Sequence, residues 1–171
     1  MEEDRLKAGL AAGEKSSYQT IYDLYGPAMY RAAARMLGNT ADAEDAVQEV
    51  FVSLVRSRRW LAGAKDLKAY LFVSLHRTAG RIGRRSRQRQ MACLQEPQAK
   101  NSTPDGDFDV EAMRGAVKRL PDQQRNVIAL KIDGELTFAQ ISEILNINHN
   151  TAVSRYRYAI ERLKSMLGSG K

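Results

Sequence analysis

Two constellations in this chain have residue types and spacings suited to recognising charged partners. The first lies in "GNTADAEDAVQEVFVSLVRSRRW", where Asp42, Asp45 and Glu49 follow one another at i, i+3 and i+7 with Gln48 beside them, so a helix carries them on one face. A carboxylate row repels phosphates and suits a basic protein surface. Acids in a first helical turn also favour the helix dipole, which accounts for Asp42 and Glu44 without any partner; Glu49, further along, is left over. The second constellation lies in "LTFAQISEILNINHNTAVSRYRYAIERL", 136–163. At about 100° per residue, Asn150, Ser154, Arg157 and Tyr158 collect on one side of a helix, flanked by Thr151 and Arg155. Arg bonds guanine edges bidentately, Asn bonds adenine, and Ser or Thr reaches bases or phosphates, as in a major groove. A helical bundle with a polar outer face would carry the same pattern and bind nothing, so the motif alone leaves both readings open.

A third segment, "RSRRWLAGAKDLKAYLFVSLHRTAGRIGRRSRQR", interleaves basic residues with Trp60, Tyr70 and Phe72. Cations hold a phosphate backbone and aromatic faces stack on unpaired bases. Phe72 and Leu75 are expected in the core, whereas Trp60 is as readily a stacking residue as a buried one.

The elements that must position these groups are all helical in pattern. Asn39 or Thr40 caps a helix whose apolar stripe is Ala43, Val47, Val50, Phe51, Leu54 and Val55. Thr137 with Gln140 forms a capping-box pair, Phe138, Ile141, Ile144 and Leu145 supply an apolar face, and Asn146 suits the left-handed residue that ends a helix. Ile147 then tucks in, Asn148 or Asn150 caps the next helix, and Ala152, Tyr156, Ala159, Ile160 and Leu163 form its inner stripe. This is a helix-turn-helix whose second helix presents the readable face. Upstream, "LPDQQRNVIALKIDGE" predicts a bracing helix with Pro121 at its first position, Val127, Ile128 and Ile132 in the core, and Gly134 as its stop.

Charge divides the 171 residues into blocks. Residues 1–55 hold 5 basic and 9 acidic groups, 56–89 hold 11 and 1, 90–112 hold 1 and 5, and 113–171 hold 10 and 5, for a net charge of +7. The net favours a polyanionic partner. The stretch "QMACLQEPQAKNSTPDGDFDVE" carries Pro97, Pro104 and Gly106 with little periodicity and reads as a linker. The expectation is an all-α fold of two small helical domains, 1–89 and 112–171, joined by an acidic flexible linker, 90–111. A lone cysteine, Cys93, cannot form an internal disulfide, no apolar run approaches a membrane span, and the acidic N-terminus is unlike a secretion signal, so a cytoplasmic location is expected.

At these residues the chain resembles the bacterial extracytoplasmic-function sigma factors, two-domain promoter-specificity subunits of RNA polymerase. "DAEDAVQEVF" at 42–51 matches the family's signature helix, and "LPDQQRNVIALKIDGELTFAQISEILNINHNTAVSRYRYAIERLKSML" matches its C-terminal domain. The resemblance implies that Asp42, Asp45, Gln48 and Glu49 dock on the clamp coiled coil of the polymerase largest subunit. It implies that the basic segment engages the melted minus-ten element, with Arg58, Arg59, Trp60, Lys65, Lys68, Arg77, Arg81, Arg84 and Arg85 as candidates. It assigns Asn150, Thr151, Ser154, Arg155, Arg157 and Tyr158 to the minus-thirty-five element, and the linker to a path toward the RNA exit. A monomer when free, with core RNA polymerase and promoter DNA as partners, no membrane and no cofactor, is implied, as is an anti-sigma factor clamping the two domains. Where many members carry an Asn and an Asp in the arginine-rich helix this chain aligns Arg77 and Arg81, and the tryptophan usual near Tyr70 is missing.

Two other classes compete. A free-standing helix-turn-helix regulator would bind palindromic duplex DNA as a dimer without polymerase. An enzyme is disfavoured, because His76 and His149 are isolated, no His, Cys or carboxylate cluster has metal spacing, and an acid row on one exposed helix face does not converge on a metal ion. The two-domain reading predicts that limited proteolysis cuts within 90–111 first and leaves stable fragments near 1–90 and 112–171. Preferential cutting inside either fragment, read by mass spectrometry, contradicts it.

Overall fold

One face of the second helix, α2 (Lys15–Leu37), points inward along its length, and the rest of the N-terminal half packs on it: Ile21, Met29, Ala32, Ala33 and Met36 are buried. The structure is a computed structural model that describes residues 2–61, 63–93 and 108–168, without the side chains of Arg59, Trp60, Phe108 and Asp109. The expected stacking by Trp60 and contact by Arg59 therefore lie outside the described residues. No strand occurs among the described residues. Helix α2 follows α1 (Glu2–Ala12) and ends at Gly38, whose φ of 73° lets its N–H reach back to the Ala34 carbonyl.

Helix α3 (Thr40–Arg56) starts on Asn39, whose side-chain oxygen accepts from the Asp42 N–H at 2.8 Å, and buries Ala43, Ala46, Val47, Val50 and Leu54 against α2 and α5. Phe51 is half-buried, its ring edge-on to Tyr22 at 5.0 Å. Val55, expected in the stripe, is 51% exposed, because it stands about 100° past Leu54 and leaves the contact face. After the short α4 (Arg58–Leu61) comes α5 (Leu67–Cys93). Two carboxylates cap its start: Asp66 accepts from the Ala69 N–H, and Glu3 of α1 from the Leu67 N–H, each at 2.9 Å. Leu67, Leu71, Phe72, Leu75 and Ala79 form its inner face. Phe72 and Leu75 are fully buried, as their spacing predicts, and Tyr70 is half-buried.

The C-terminal half comprises α6 (Phe108–Lys118), α7 (Asp122–Ile128), α8 (Phe138–Leu145) and α9 (His149–Gly168). Helix α5 thus runs four residues past 89 and α6 begins four before 112; within the expected linker, 94–107 lie outside the described residues. Pro121 is not the first helical residue. Its ψ of 145° keeps it extended, and its carbonyl accepts from the Gln124 and Arg125 N–H groups, both at 2.9 Å, so the helix begins at Asp122.

Helix α7 continues into a π-helical turn, Ala129–Asp133. The inserted residue shifts the inward position from i+4 to i+5. Ile132, expected in the core four residues after the buried Ile128, is therefore 48% exposed, and Asp133 takes the inward place. The helix stops before Gly134, as expected, although the left-handed residue is Glu135, with φ 50°.

The helix-turn-helix follows its sequence pattern closely. Thr137 and Gln140 form the reciprocal capping box, Asn146 is left-handed at φ 51° and ψ 52°, and Asn148 Oδ1 accepts from the Asn150 N–H at 2.8 Å. Ala152, Ala159 and Leu163 are buried, with Tyr156 and Ile160 half-buried beside them. A small core of Ala116, Val117, Leu120, Ile128, Ala159 and Leu163 ties α6, α7 and α9 together. The larger core crosses between the halves, joining Leu71, Phe72 and Leu75 with Val127, Leu130, Leu136 and Ile141.

The left-handed turn generates a prediction. Asn146→Ala should cost about 1 kcal/mol, because a Cβ without a local hydrogen-bonding side chain disfavours that conformation, whereas Asn146→Gly should be close to neutral. Urea unfolding of the three chains checks the order.

Candidate protein-docking and nucleic-acid interfaces

The acidic row of α3 faces the arginine-rich end of α5 across an open groove lined by Asp42, Asp45, Gln48, Glu49, Val52, Ile82, Arg85, Ser86 and Arg89. The four predicted residues are thus brought together, but in two states. Asp42 is half-buried and accepts from Asn39 Nδ2 and Ser86 Oγ, both at 2.6 Å. Glu49 pairs with the Arg81 guanidinium, which holds its carboxyl below the usual carboxylate range. Asp45 and Gln48 are exposed on the outer wall of the groove. The apolar floor from Val52 and Ile82 and the Ser86 bond were not anticipated. Ser86 and Ile82 sit on another helix, 33 to 44 residues from the acids they face, and only the pairing of α3 with α5 brings them there.

The basic candidates spread over several faces. Arg77 and Arg84 are exposed on the side of α5 opposite its apolar stripe, while Arg81 and Arg85 lean toward the acids of α3. Arg58 and Lys65 are exposed near the start of α5 and Lys68 is half-buried. Beyond them Arg87 reaches Asp122 of α7 at 2.8 Å. His76 is half-buried, and burial first, then Arg77 beside it, lowers its pKa below the ordinary imidazole value. Among the described residues no group of three or more His, Cys, Asp or Glu side chains could hold a metal ion.

On α9 the outer face is assembled as the periodicity predicts. Asn150, Arg157 and Tyr158 are exposed, while Thr151, Ser154 and Arg155 are half-buried along its edge. The Arg157 guanidinium lies 5.3 Å from the centre of the Tyr158 ring and its Nε stands 4.0 Å from Glu161, both exposed contacts that hold it weakly. His149 is exposed at the start of the helix, its ring edge-on to Phe138 at 6.3 Å. No helix of the described residues is long and apolar enough to cross a membrane.

Comparison with known proteins agrees with this arrangement. The family model of sigma-70 region 2 matches residues 21–90, and that of sigma-70 region 4 matches 116–165. Relatives include the ECF RNA polymerase sigma factor SigW of Bacillus subtilis, 26% identical over 170 residues and covering 91% of each chain. SigL of Mycobacterium tuberculosis is 28% identical over 166 residues, covering 94% of each. The fold is shared with CnrH, solved in complex with the cytosolic domain of CnrY, at a TM-score of 0.71, 19% identity and full coverage of both chains. It is shared also with the sigma factor RpoE of Bartonella quintana, solved with the anti-sigma factor NepR, at a TM-score of 0.74 and 23% identity over 90% of this chain and 98% of that one. With region 2 carrying the acidic row and region 4 the helix-turn-helix, in that order along the chain, the protein belongs to the extracytoplasmic-function sigma factors of RNA polymerase.

Proposed function

We propose that the chain carries out sigma-factor function through three separate surfaces: the acidic groove of α3 docks on the clamp coiled coil of the polymerase largest subunit, the outer side of α5 engages the melted minus-ten element, and α9 reads the minus-thirty-five element. The carrying observation is the exposed Asn150, Arg157 and Tyr158 face on a helix held at a fixed angle by the capping box and the left-handed Asn146. On α5, Arg77 and Arg84 are the principal phosphate contacts, with Arg58, Lys65 and Lys68 nearer its start; Arg81 acts instead by orienting Glu49. Residues 90–111 join the two domains and thread through the polymerase toward the RNA exit path. The protein has no catalytic site of its own and acts in the cytoplasm as a subunit of the polymerase. An anti-sigma factor, as seen with its structural neighbour RpoE, is the expected antagonist.

Asp45 is exposed on the groove wall, whereas Glu49 is paired with Arg81 and Asp42 is half-buried, so Asp45→Arg should weaken binding to core polymerase while leaving the helix content intact. A like charge set against a basic partner costs on the order of several kcal/mol. Fluorescence titration with core enzyme measures the loss and circular dichroism checks the fold; normal binding removes the docking assignment.

The two arginines of α9 should behave differently. Arg157→Ala should cost ~1–3 kcal/mol and change base preference at one upstream position, as loss of a bidentate guanine contact does. Arg155→Ala should weaken all promoters alike and flatten the salt dependence. Run-off transcription by reconstituted holoenzyme on promoters varied at each upstream base separates them, and unchanged preference for Arg157→Ala contradicts the orientation of α9.

A further inference from the structure

We propose that Arg35 and Asp133 form an intramolecular latch that holds the free chain closed, and that the latch must part before both promoter elements are engaged. The first half of this proposal rests on the structure alone; the second rests on the assignment of α5 and α9 to two separate elements.

The pair joins the two halves of the chain across 98 residues of sequence. Arg35, in the last turns of α2, donates from Nε to Asp133 Oδ2 at 2.7 Å and from Nη2 to Oδ1 at 3.2 Å, a two-pronged geometry. The Asp133 side chain is 4% exposed and that of Arg35 26%. Its surroundings are close-fitting: a Cβ on Gly134 would stand 3.1 Å from Phe72 Cε1, so the C-terminal half rests directly on the face of α5. Nearby, Gln140 of the capping box donates to Asp66, the cap of α5, at 2.6 Å. The outer pair of Arg87 and Asp122 is exposed on both sides and adds little.

Reach makes opening necessary. The two elements lie roughly 25 base pairs apart, as their names state, or about 85 Å of duplex at 3.4 Å per pair. A closed chain of this length has a radius of gyration of about 15 Å and cannot touch both. The 14 residues between Cys93 and Phe108 allow a separation of at most about 50 Å, which added to the size of the two halves makes up the distance.

The electrostatics set the direction of each substitution. Neutralising one partner leaves the other charge without its counter-charge in the closed chain, where it is shielded from water, whereas opening hydrates it. Single variants therefore favour the open form, and exchanging the two charges restores the closed one.

The test uses the full chain with Cys93→Ser and spin labels on cysteines introduced at Arg56 of α3 and Lys164 of α9, both exposed. Pulsed electron paramagnetic resonance of the free protein should give one short distance for the parent. Arg35→Gln and Asp133→Asn should shift the distribution to longer distances, and the Arg35→Asp, Asp133→Arg double variant should shorten it again, with helix content unchanged. A parent-like distribution in both single variants overturns the latch. So does lengthening accompanied by a loss of helix that the exchanged pair fails to restore. With limiting core enzyme, the unlabelled single variants should yield several-fold more run-off transcript than the parent; equal yield from an opened chain overturns the claim that closure restrains promoter use. Since the distances are measured without DNA, an error in the promoter assignment would appear as indifference to Arg157→Ala while the distances still respond.

Discussion

A carboxylate taken out of water needs a counter-charge within bonding distance, and Asp133 finds its own on the other half of the molecule. Much of the arrangement between the halves is bound up with that requirement. The π turn exchanges an isoleucine for an aspartate on the inner face, and Gly134 follows it where the Leu130 carbonyl, 2.6 Å from the place of a Cβ, and Phe72 leave no room for a side chain. Lys131, on the same turn, donates to the Leu136 carbonyl at 3.1 Å and lies 4.8 Å from the centre of the Phe138 ring. The start of α8 is thereby tied to the turn that carries Asp133. The position of α9 is set through this sequence of contacts as well as by its own turn.

The groove between α3 and α5 follows a different logic. Both walls are charged, one acidic and one basic, and the two salt the same cleft with opposite signs. Arg81 and Ser86 take up Glu49 and Asp42, leaving Asp45 and Gln48 exposed to solvent. A helix carrying four aligned polar groups thus presents fewer of them than its sequence advertises, and the internal pairs stiffen the surface on which the remaining ones stand.

Local rules were legible wherever the determining contacts lie within about four residues. Asn39, Thr137 with Gln140, Asn146 and Asn148 all stand where short-range hydrogen bonding demands, and the helix-turn-helix with its outer face could be drawn from them. The acidic row was equally plain, being a matter of helical period. Ile132 was misplaced because the period itself changes at the π turn, which no local residue signals. Val55 was misplaced because the stripe is narrower than a pattern of apolar residues implies. The Arg35 and Asp133 pair and the Ser86 contact to Asp42 were beyond reach, since each depends on how distant helices come together.

The separation of Arg35 from Asp133 also has a meaning in time. At about 5–20 residues per second, the ribosome adds the intervening 98 residues in roughly 5–20 s, far longer than helices need to form and pack. Once Cys93 has been added, α2, α3 and α5 are all complete, but 40 residues remain before Asp133 is there to close upon. The growing chain therefore passes through a stage in which Arg35 is hydrated and the Phe72 face has yet to meet Gly134. Closure therefore comes late in synthesis, onto helices already complete in the N-terminal half.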